Sequence, residues 1–275
     1  MTERDDRTRL RATFDTAAER YDRIRPRYLT EVFDDIERLG GLAPGIRVLE
    51  VGCGTGQATV DLATRGHAVV AVEIGAELAA IASRRLARFP DAEVIVADFE
   101  RWELPTEPFD AVVSATAFHW IDPEIRFLKA ADALRPGGLL AIVDTDHGAG
   151  GTEQFFVDVQ DCYERWDPKT EPGLRLPAAA DVETNVDEVA RSGRFGPVTV
   201  RRYEWEQMYS TSAYRDLLLT YSGHLALERP TRTGLLDCVG ALIDSRFGGS
   251  ITKRYLTTLR LAHRLDGPDR RADAT

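Results

Sequence analysis

Val48-Leu49-Glu50-Val51-Gly52-Cys53-Gly54-Thr55-Gly56-Gln57 is the stretch whose reading decides the fold. A short apolar run carries a carboxylate near its end. Three alternating glycines follow, then residues that favour a helix. That is the order strand, tight turn, helix. Glycine accepts positive φ and lets a ligand lie against the main chain without meeting a Cβ. The turn delivers that ligand to the outward-pointing N–H groups of the next helix. The carboxyl end of a strand is also where open α/β sheets place ligands.

The spacing of the glycines separates nucleotide cofactors. A dinucleotide fingerprint reads G-x-G-x-x-G, and a phosphate-cradling P-loop ends in G-K-[ST]. Gly52, Gly54 and Gly56 read G-x-G-x-G, with Glu50 ahead and no Gly-Lys behind. An acid beside the loop is a poor neighbour for a diphosphate. It suits a cationic ligand that bears an amino acid.

Outward from this loop, apolar runs alternate with helical ones. Strands are expected at Arg47–Val51, Ala68–Val72 (ending in Glu73), Glu93–Ala97 (ending in Asp98), Ala111–Ala115 and Leu139–Val143. Helices are expected at Gln57–Thr64 and Ala76–Phe89, with a helical lead-in over residues 12–38 broken at Pro26. Such alternation implies a parallel sheet covered on both faces, so the strand ends converge on one rim. Beyond Gly148-Ala149-Gly150-Gly151 the pattern loosens. Helices are expected at Thr152–Trp166, Val182–Ser192, Ala213–Leu225 and Arg232–Phe247. Strands are expected at Val198–Gln207 and Ile251–Ala262, and the polar tail 266–275 reads as disordered.

At 275 residues the chain has room for one large α/β domain with insertions. Net charge −10 argues against nucleic acid or an anionic membrane as the main partner. Apolar runs are too short to span a bilayer, and Met1 to Arg11 lacks the apolar core of a secretory signal. Cys53, Cys162 and Cys238 are widely spaced. An odd count without a framework fits a reducing, cytoplasmic setting, and no Cys/His pairing has the spacing of a metal site. Cys53 reads as a small residue that fits its loop rather than a nucleophile.

Glu50-x-Gly-x-Gly-x-Gly56, Glu73 seventeen residues past the last glycine, Asp98, and Arg135-Pro-Gly-Gly138 before a strand together resemble class I S-adenosylmethionine-dependent methyltransferases. The resemblance implies a Rossmann-like, doubly wound α/β fold with a seven-stranded sheet. The seventh strand, Ile251–Ala262, would insert antiparallel between strands five and six. It also implies one methyltransferase domain, with a core of about 12–147, 183–208 and 250–263 and a helical cap from about 150–182 and 209–249. More narrowly, Phe14-Asp15, Tyr21-Asp22, Arg25-Pro26, Tyr28 and Ala117-Phe118-His119-Trp120-Ile121-Asp122 look like the branch that contains trans-aconitate methyltransferases.

The resemblance implies S-adenosylmethionine as donor, S-adenosylhomocysteine as product, and a small-molecule acceptor, with a homodimer possible. The cofactor residues would be Tyr21, Arg25, Glu50, Gly52, Cys53, Gly54, Gly56, Glu73, Ile74, Asp98, Phe99, Ala115 and Phe118. Glu73 would accept from the ribose hydroxyls. Asp98 would accept from the adenine amino group with Phe99 against the ring, or else cap a turn. Glu50 either holds the cofactor's ammonium, directly or through water, or anchors the loop. Arg25 would pair with the cofactor's carboxylate. Tyr21 would pack near the sulfonium. His119 would deprotonate or orient the acceptor, with Trp120 as a wall. His147, Phe155, Tyr163 and Tyr221 complete the acceptor pocket, and His147 and His224 are further candidate bases. A polycarboxylate acceptor would call on Arg165, Arg175, Arg215, Arg229 or Arg232. Neither a triad nor a metal is required, because a sulfonium donor is already activated.

Overall fold

A computed structural model describes residues 18–167 and 169–265. Phe14, Asp15, Pro168 and the tail 266–275 lie outside the described residues. The elements run α1 Ala18–Ile24, α2 Thr30–Gly40, β1 Arg47–Val51, α3 Gln57–Thr64, β2 Ala68–Glu73, α4 Ala76–Leu86, β3 Ala92–Val96 and β4 Phe109–Ala115. After a 3₁₀ turn at Phe118–Trp120 come α5 Pro123–Ala133, β5 Leu134–Gly148, α6 Glu153–Asp158, α7 Gln160–Trp166 and α8 Val186–Arg191. The chain closes with β6 Thr199–Ser210, α9 Thr211–Leu218, α10 Ser222–Ala226, α11 Arg229–Arg246 and β7 Ser250–His263.

The seven strands form one sheet in the order β3-β2-β1-β4-β5-β7-β6. β1 pairs in parallel with both β2 and β4, with Leu49 opposite Val70 and Val112. β2–β3 and β4–β5 are parallel as well. Burial on both faces explains why β1 and β4 read as continuous apolar runs. The strand order reverses at β1, which puts the glycine loop at the topological switch point of the sheet. β7 is antiparallel: Arg264, just past its end, exchanges backbone hydrogen bonds with Gly137 and Gly138 near the start of β5. The Rossmann-like α/β fold that the resemblance implied is the fold observed.

Residues fall into two compact units. One, the glycine-loop unit, comprises Arg27–Asp144, Thr184–Arg201 and the described residues from Thr258 onward. Its core joins Leu49, Val51, Val72, Phe109, Val112, Phe118 and Leu140 to Phe127 of α5 and Phe195. The other, the helical unit, comprises the described residues up to Pro26, then Thr145–Glu183 and Arg202–Thr257. Its core is aromatic, with Phe155, Phe156, Tyr209, Tyr214 and Tyr255 around Leu217, Leu235 and Val239.

Several boundaries differ from the sequence reading. α4 ends at Leu86, and β3 starts at Ala92. β5 begins at Leu134 rather than Leu139, because Leu134 pairs with Phe109 before a register shift that absorbs Pro136-Gly137-Gly138. The helix expected over Ala213–Leu225 is two, since the Thr220 hydroxyl bonds back to the Leu217 carbonyl and ends α9. The expectation that no cysteines pair is overturned: Cys162 of α7 and Cys238 of α11 form a disulfide with Cα atoms 5.8 Å apart. They lie 76 residues apart, so no local spacing announces the pair. Among the described residues no helix is long and apolar enough to cross a membrane.

Candidate functional site

Parallel register brings the carboxyl ends of β1, β2 and β4 to one rim, with Glu50 opposite Ala71 and Val113. The loop leaves β1 with Gly52, Gly54 and Gly56 all at positive φ, +74°, +55° and +80°. Each glycine is required differently. A Cβ at Gly52 would stand 2.4 Å from the Ala117 Cβ, and one at Gly56 would press on Ala82 of α4 at 3.1 Å. A Cβ at Gly54 would meet nothing within 4 Å, so Gly54 presents bare backbone to open space. The loop is held from below by Gly52 and Cys53 N–H groups donating to the Val72 carbonyl.

Glu73 closes the loop from the side. One oxygen accepts from the Gly54 N–H and the other from the Gly75 N–H, both at 2.8 Å. A carboxylate has about four lone-pair sites, so acceptor capacity remains beyond these two bonds. Ile74, beside it, is an exposed apolar side chain, 42% accessible.

Glu50 is 1% exposed beneath the same loop. Burial pushes its carboxyl up from 4.5 to about 7, with Glu73 and Asp61 adding like charge. Its Oε2 has no hydrogen-bond partner, and neither do the buried side-chain atoms Thr55 Oγ1, Gln57 Nε2 and Thr59 Oγ1. Buried polar atoms are ordinarily satisfied. Four orphans in one ten-residue stretch, under a loop with bare backbone, fit a polar, cationic ligand that reaches them directly or through water. Cys53 is buried, and burial beside Glu50 and Glu73 pushes its thiol up.

Asp98 accepts from the Glu100 N–H at 3.1 Å, and its backbone carbonyl takes the N–H groups of Arg101 and Trp102, so it caps a turn. Phe99 packs into the core, with Trp102 against the same cluster. Ala115, the last residue of β4, and Phe118 just beyond it are buried. Phe118 packs edge-on against Phe127 with ring centroids 5.1 Å apart. His119 stands out from this turn, half exposed, with the Trp120 ring 5.1 Å away. Its Nδ1 is 3.9 Å from Asp144 at the end of this unit's share of β5. Burial would raise the Asp144 carboxyl, but His119 and the buried Arg260 guanidinium outweigh it and hold it below its usual value. Asp122 accepts from the Glu124 N–H and caps α5.

Two features of this rim carry no sequence signal. Thr116 is left-handed at φ +56°, an uncommon conformation for a β-branched residue. Tyr28 holds it, its hydroxyl bonding to the Thr116 hydroxyl and to the Ala115 carbonyl. Arg260, read only as part of a strand, pairs with Asp144 and, after His119, helps to hold that carboxyl below its usual value.

The remaining candidates belong to the helical unit. Arg25 donates to the Thr220 hydroxyl at 2.8 Å and carbonyl at 2.9 Å, with its guanidinium over Tyr21 and Tyr221 at 4.9 and 4.4 Å. His147 bonds the Tyr221 hydroxyl at 3.1 Å, and His224 bonds the Tyr163 hydroxyl at 3.0 Å. Burial pulls His147 down to about 3 and His224 to about 4. Phe155 is enclosed by Phe156, Tyr214 and Phe247 and is core. Among the arginines weighed for a polycarboxylate, Arg215 pairs with Asp237, and Arg232 donates to the Leu225 carbonyl.

Residues 48–138 match the model of a methyltransferase domain. The chain is 35% identical to the uncharacterized methyltransferase Rv3342 of Mycobacterium tuberculosis over 84% of its own length and 85% of the relative's. Among solved structures it resembles phosphoethanolamine N-methyltransferase 2 of Haemonchus contortus, with a TM-score of 0.54, 19% identity and 92% of this chain covered. It spans 58% of that nematode enzyme's length. YcgJ of Bacillus subtilis gives a TM-score of 0.53 at 13% identity, covering 87% of this chain and all of the other. These two likenesses bear on the fold, whereas the mycobacterial identity runs through most of both sequences. On that identity, and with a switch-point loop of the right glycine spacing, the chain belongs to the class I S-adenosylmethionine-dependent methyltransferases.

Proposed function

We propose that this protein methylates a small organic acceptor by in-line transfer. The carrying observation is the set of orphaned buried atoms, led by Glu50 Oε2, beneath a glycine loop that is open at Gly54. The loop backbone would lie against the donor, with Glu50 meeting its ammonium and Glu73 its ribose hydroxyls. Ile74 would cover one face of the base. When bound, the sulfonium donor supplies an activated methyl group whose leaving sulfur departs uncharged. The chain's own work is then alignment and exclusion of water. His119 orients the acceptor or takes its proton, and the ionised Asp144 beside it favours the imidazolium that results. Net charge −10 supports a small acceptor over nucleic acid. The seat in the trans-aconitate branch rests on the motif resemblance.

Thermal shift with S-adenosylmethionine and S-adenosylhomocysteine tests the donor site, since a ligand that binds the native state raises Tm by mass action. Donor consumption against a metabolite panel tests transfer. His119→Ala is expected to lower turnover at least tenfold and leave donor affinity within about twofold. A collapse of donor affinity would move His119 to the cofactor site.

A further inference from the structure

Lys253 lies on β7 with only 3% of its surface exposed. Among the described residues its ammonium has neither a hydrogen bond nor an ion pair. Its neighbours are the faces of Phe156 at 4.9 Å and Tyr255 at 5.5 Å. Lysine is almost never buried unpaired. Cation–π contacts return only a fraction of what desolvating an ammonium costs.

The groups around it do not supply a counter-charge. His147 packs edge-on against Tyr255 at 5.7 Å and bonds Tyr221. Lys253 and Arg25 together help to keep that imidazole neutral. Tyr209 and Tyr255 share a hydroxyl–hydroxyl bond of 2.9 Å, and burial raises both phenols, as it does Tyr221. Arg25 spends its donors on Thr220 and faces Tyr221. The cluster therefore holds two cations, neutral imidazole and phenols, and flat walls. Tyr255 is itself backed by Trp205, stacked at 4.5 Å and 18°. All of these residues belong to the helical unit.

A buried cation without an acid, set among ring faces, is half of an ion pair. We propose that Lys253 is the anchor for the anionic group of a planar organic acid, a carboxylate on an aromatic or conjugated body. Phe156, Tyr255 and Tyr221 provide the faces against which that body lies, and Arg25, over Tyr221, adds positive charge to the cluster. The inference goes beyond the methyl-transfer reading: it assigns an anion site within the helical unit.

The test measures binding of matched acids and amides (benzoate with benzamide, cinnamate with cinnamamide) by calorimetry in the presence of S-adenosylhomocysteine. The acids are expected to bind at least tenfold more tightly than the amides. Lys253→Met should erase that preference by weakening the acids alone. This variant removes an unpaired buried charge, so its Tm is expected to hold or rise, and Lys253→Gln serves as a second neutral variant. Burial pulls Lys253 down to about 7. At pH 8 the acids should therefore draw in close to one proton, read from heats in buffers of different ionisation enthalpy, and the variants should lose this uptake. Equal affinity for acid and amide, unchanged acid affinity in Lys253→Met, or no binding of either acid overturns the anchor. If S-adenosylhomocysteine binds and the acids do not, only the anchor falls. If the acids bind through Lys253 and S-adenosylhomocysteine does not, the methyl-transfer reading falls and the anion site stands.

Discussion

Glu73 accepts a hydrogen bond from the N–H of Gly54 at 2.8 Å, so the acid at the end of β2 holds the open glycine of the β1 loop in place. Its second oxygen does the same for Gly75. Glu73→Ala removes two partly buried hydrogen bonds, each worth about 0.5–1.5 kcal/mol. We expect a lower Tm and no thermal shift with S-adenosylhomocysteine. A full shift in that variant would remove Glu73 from the cofactor site.

Glu50 should behave in the opposite sense toward stability and binding. Its folded-state carboxyl sits at about 7 against 4.5, so the native state holds the proton more tightly. The native protein therefore loses stability as pH rises from about 4.5 to about 7 and gains it back on acidification. At one pKa unit per 1.36 kcal/mol the full effect is about 3 kcal/mol. Glu50→Gln is expected to be more stable than wild type above pH 7 in denaturant titrations, with a flatter pH profile. It should nonetheless bind the donor at least tenfold more weakly. Unchanged donor affinity would assign Glu50 to anchoring the loop alone.

Gly52 and Gly54 separate packing from ligand approach. Gly52→Ala meets the Ala117 Cβ at 2.4 Å in a left-handed conformation, so destabilisation of about 2–4 kcal/mol is expected in urea unfolding. Gly54→Ala meets nothing, so only the left-handed penalty of about 1–2 kcal/mol applies. Its methyl group would stand on the bare backbone where we propose that the donor lies. Calorimetry with S-adenosylhomocysteine should show the larger affinity loss for Gly54→Ala relative to its stability cost.

The Cys162–Cys238 bridge closes a 76-residue separation within the helical unit. A loop of that length corresponds to about 4 kcal/mol of denatured-state entropy, and measured values run to about 2–4 kcal/mol. Dithiothreitol, or the Cys162→Ser/Cys238→Ser double variant, should lower the urea midpoint by a matching amount. Cys53→Ser should not reproduce this loss.

The strands of the glycine-loop unit were legible as apolar runs, and their parallel pairing followed from the β-α alternation, because pleat, helix propensity and turn chemistry act over a few residues. The antiparallel β7 came from family resemblance, since Ile251–Ala262 carries nothing in itself that states its direction. Glu50, Glu73 and the glycines were legible for the same local reason: only glycine serves at positive φ, and an acid at a strand end is brought to the rim by parallel pairing. Other features were invisible from spacing alone. The left-handed Thr116 is bonded by Tyr28, Asp144 is paired with Arg260, and Cys162 meets Cys238 across 76 residues. A lysine on a strand reads as solvent-facing until Phe156 and Tyr255 are seen to enclose it. Local sequence thus determined the sheet and the loop at its switch point. Charge balance, burial and covalent pairing were decided only by tertiary structure, because each is a property of residues distant in sequence that folding places side by side.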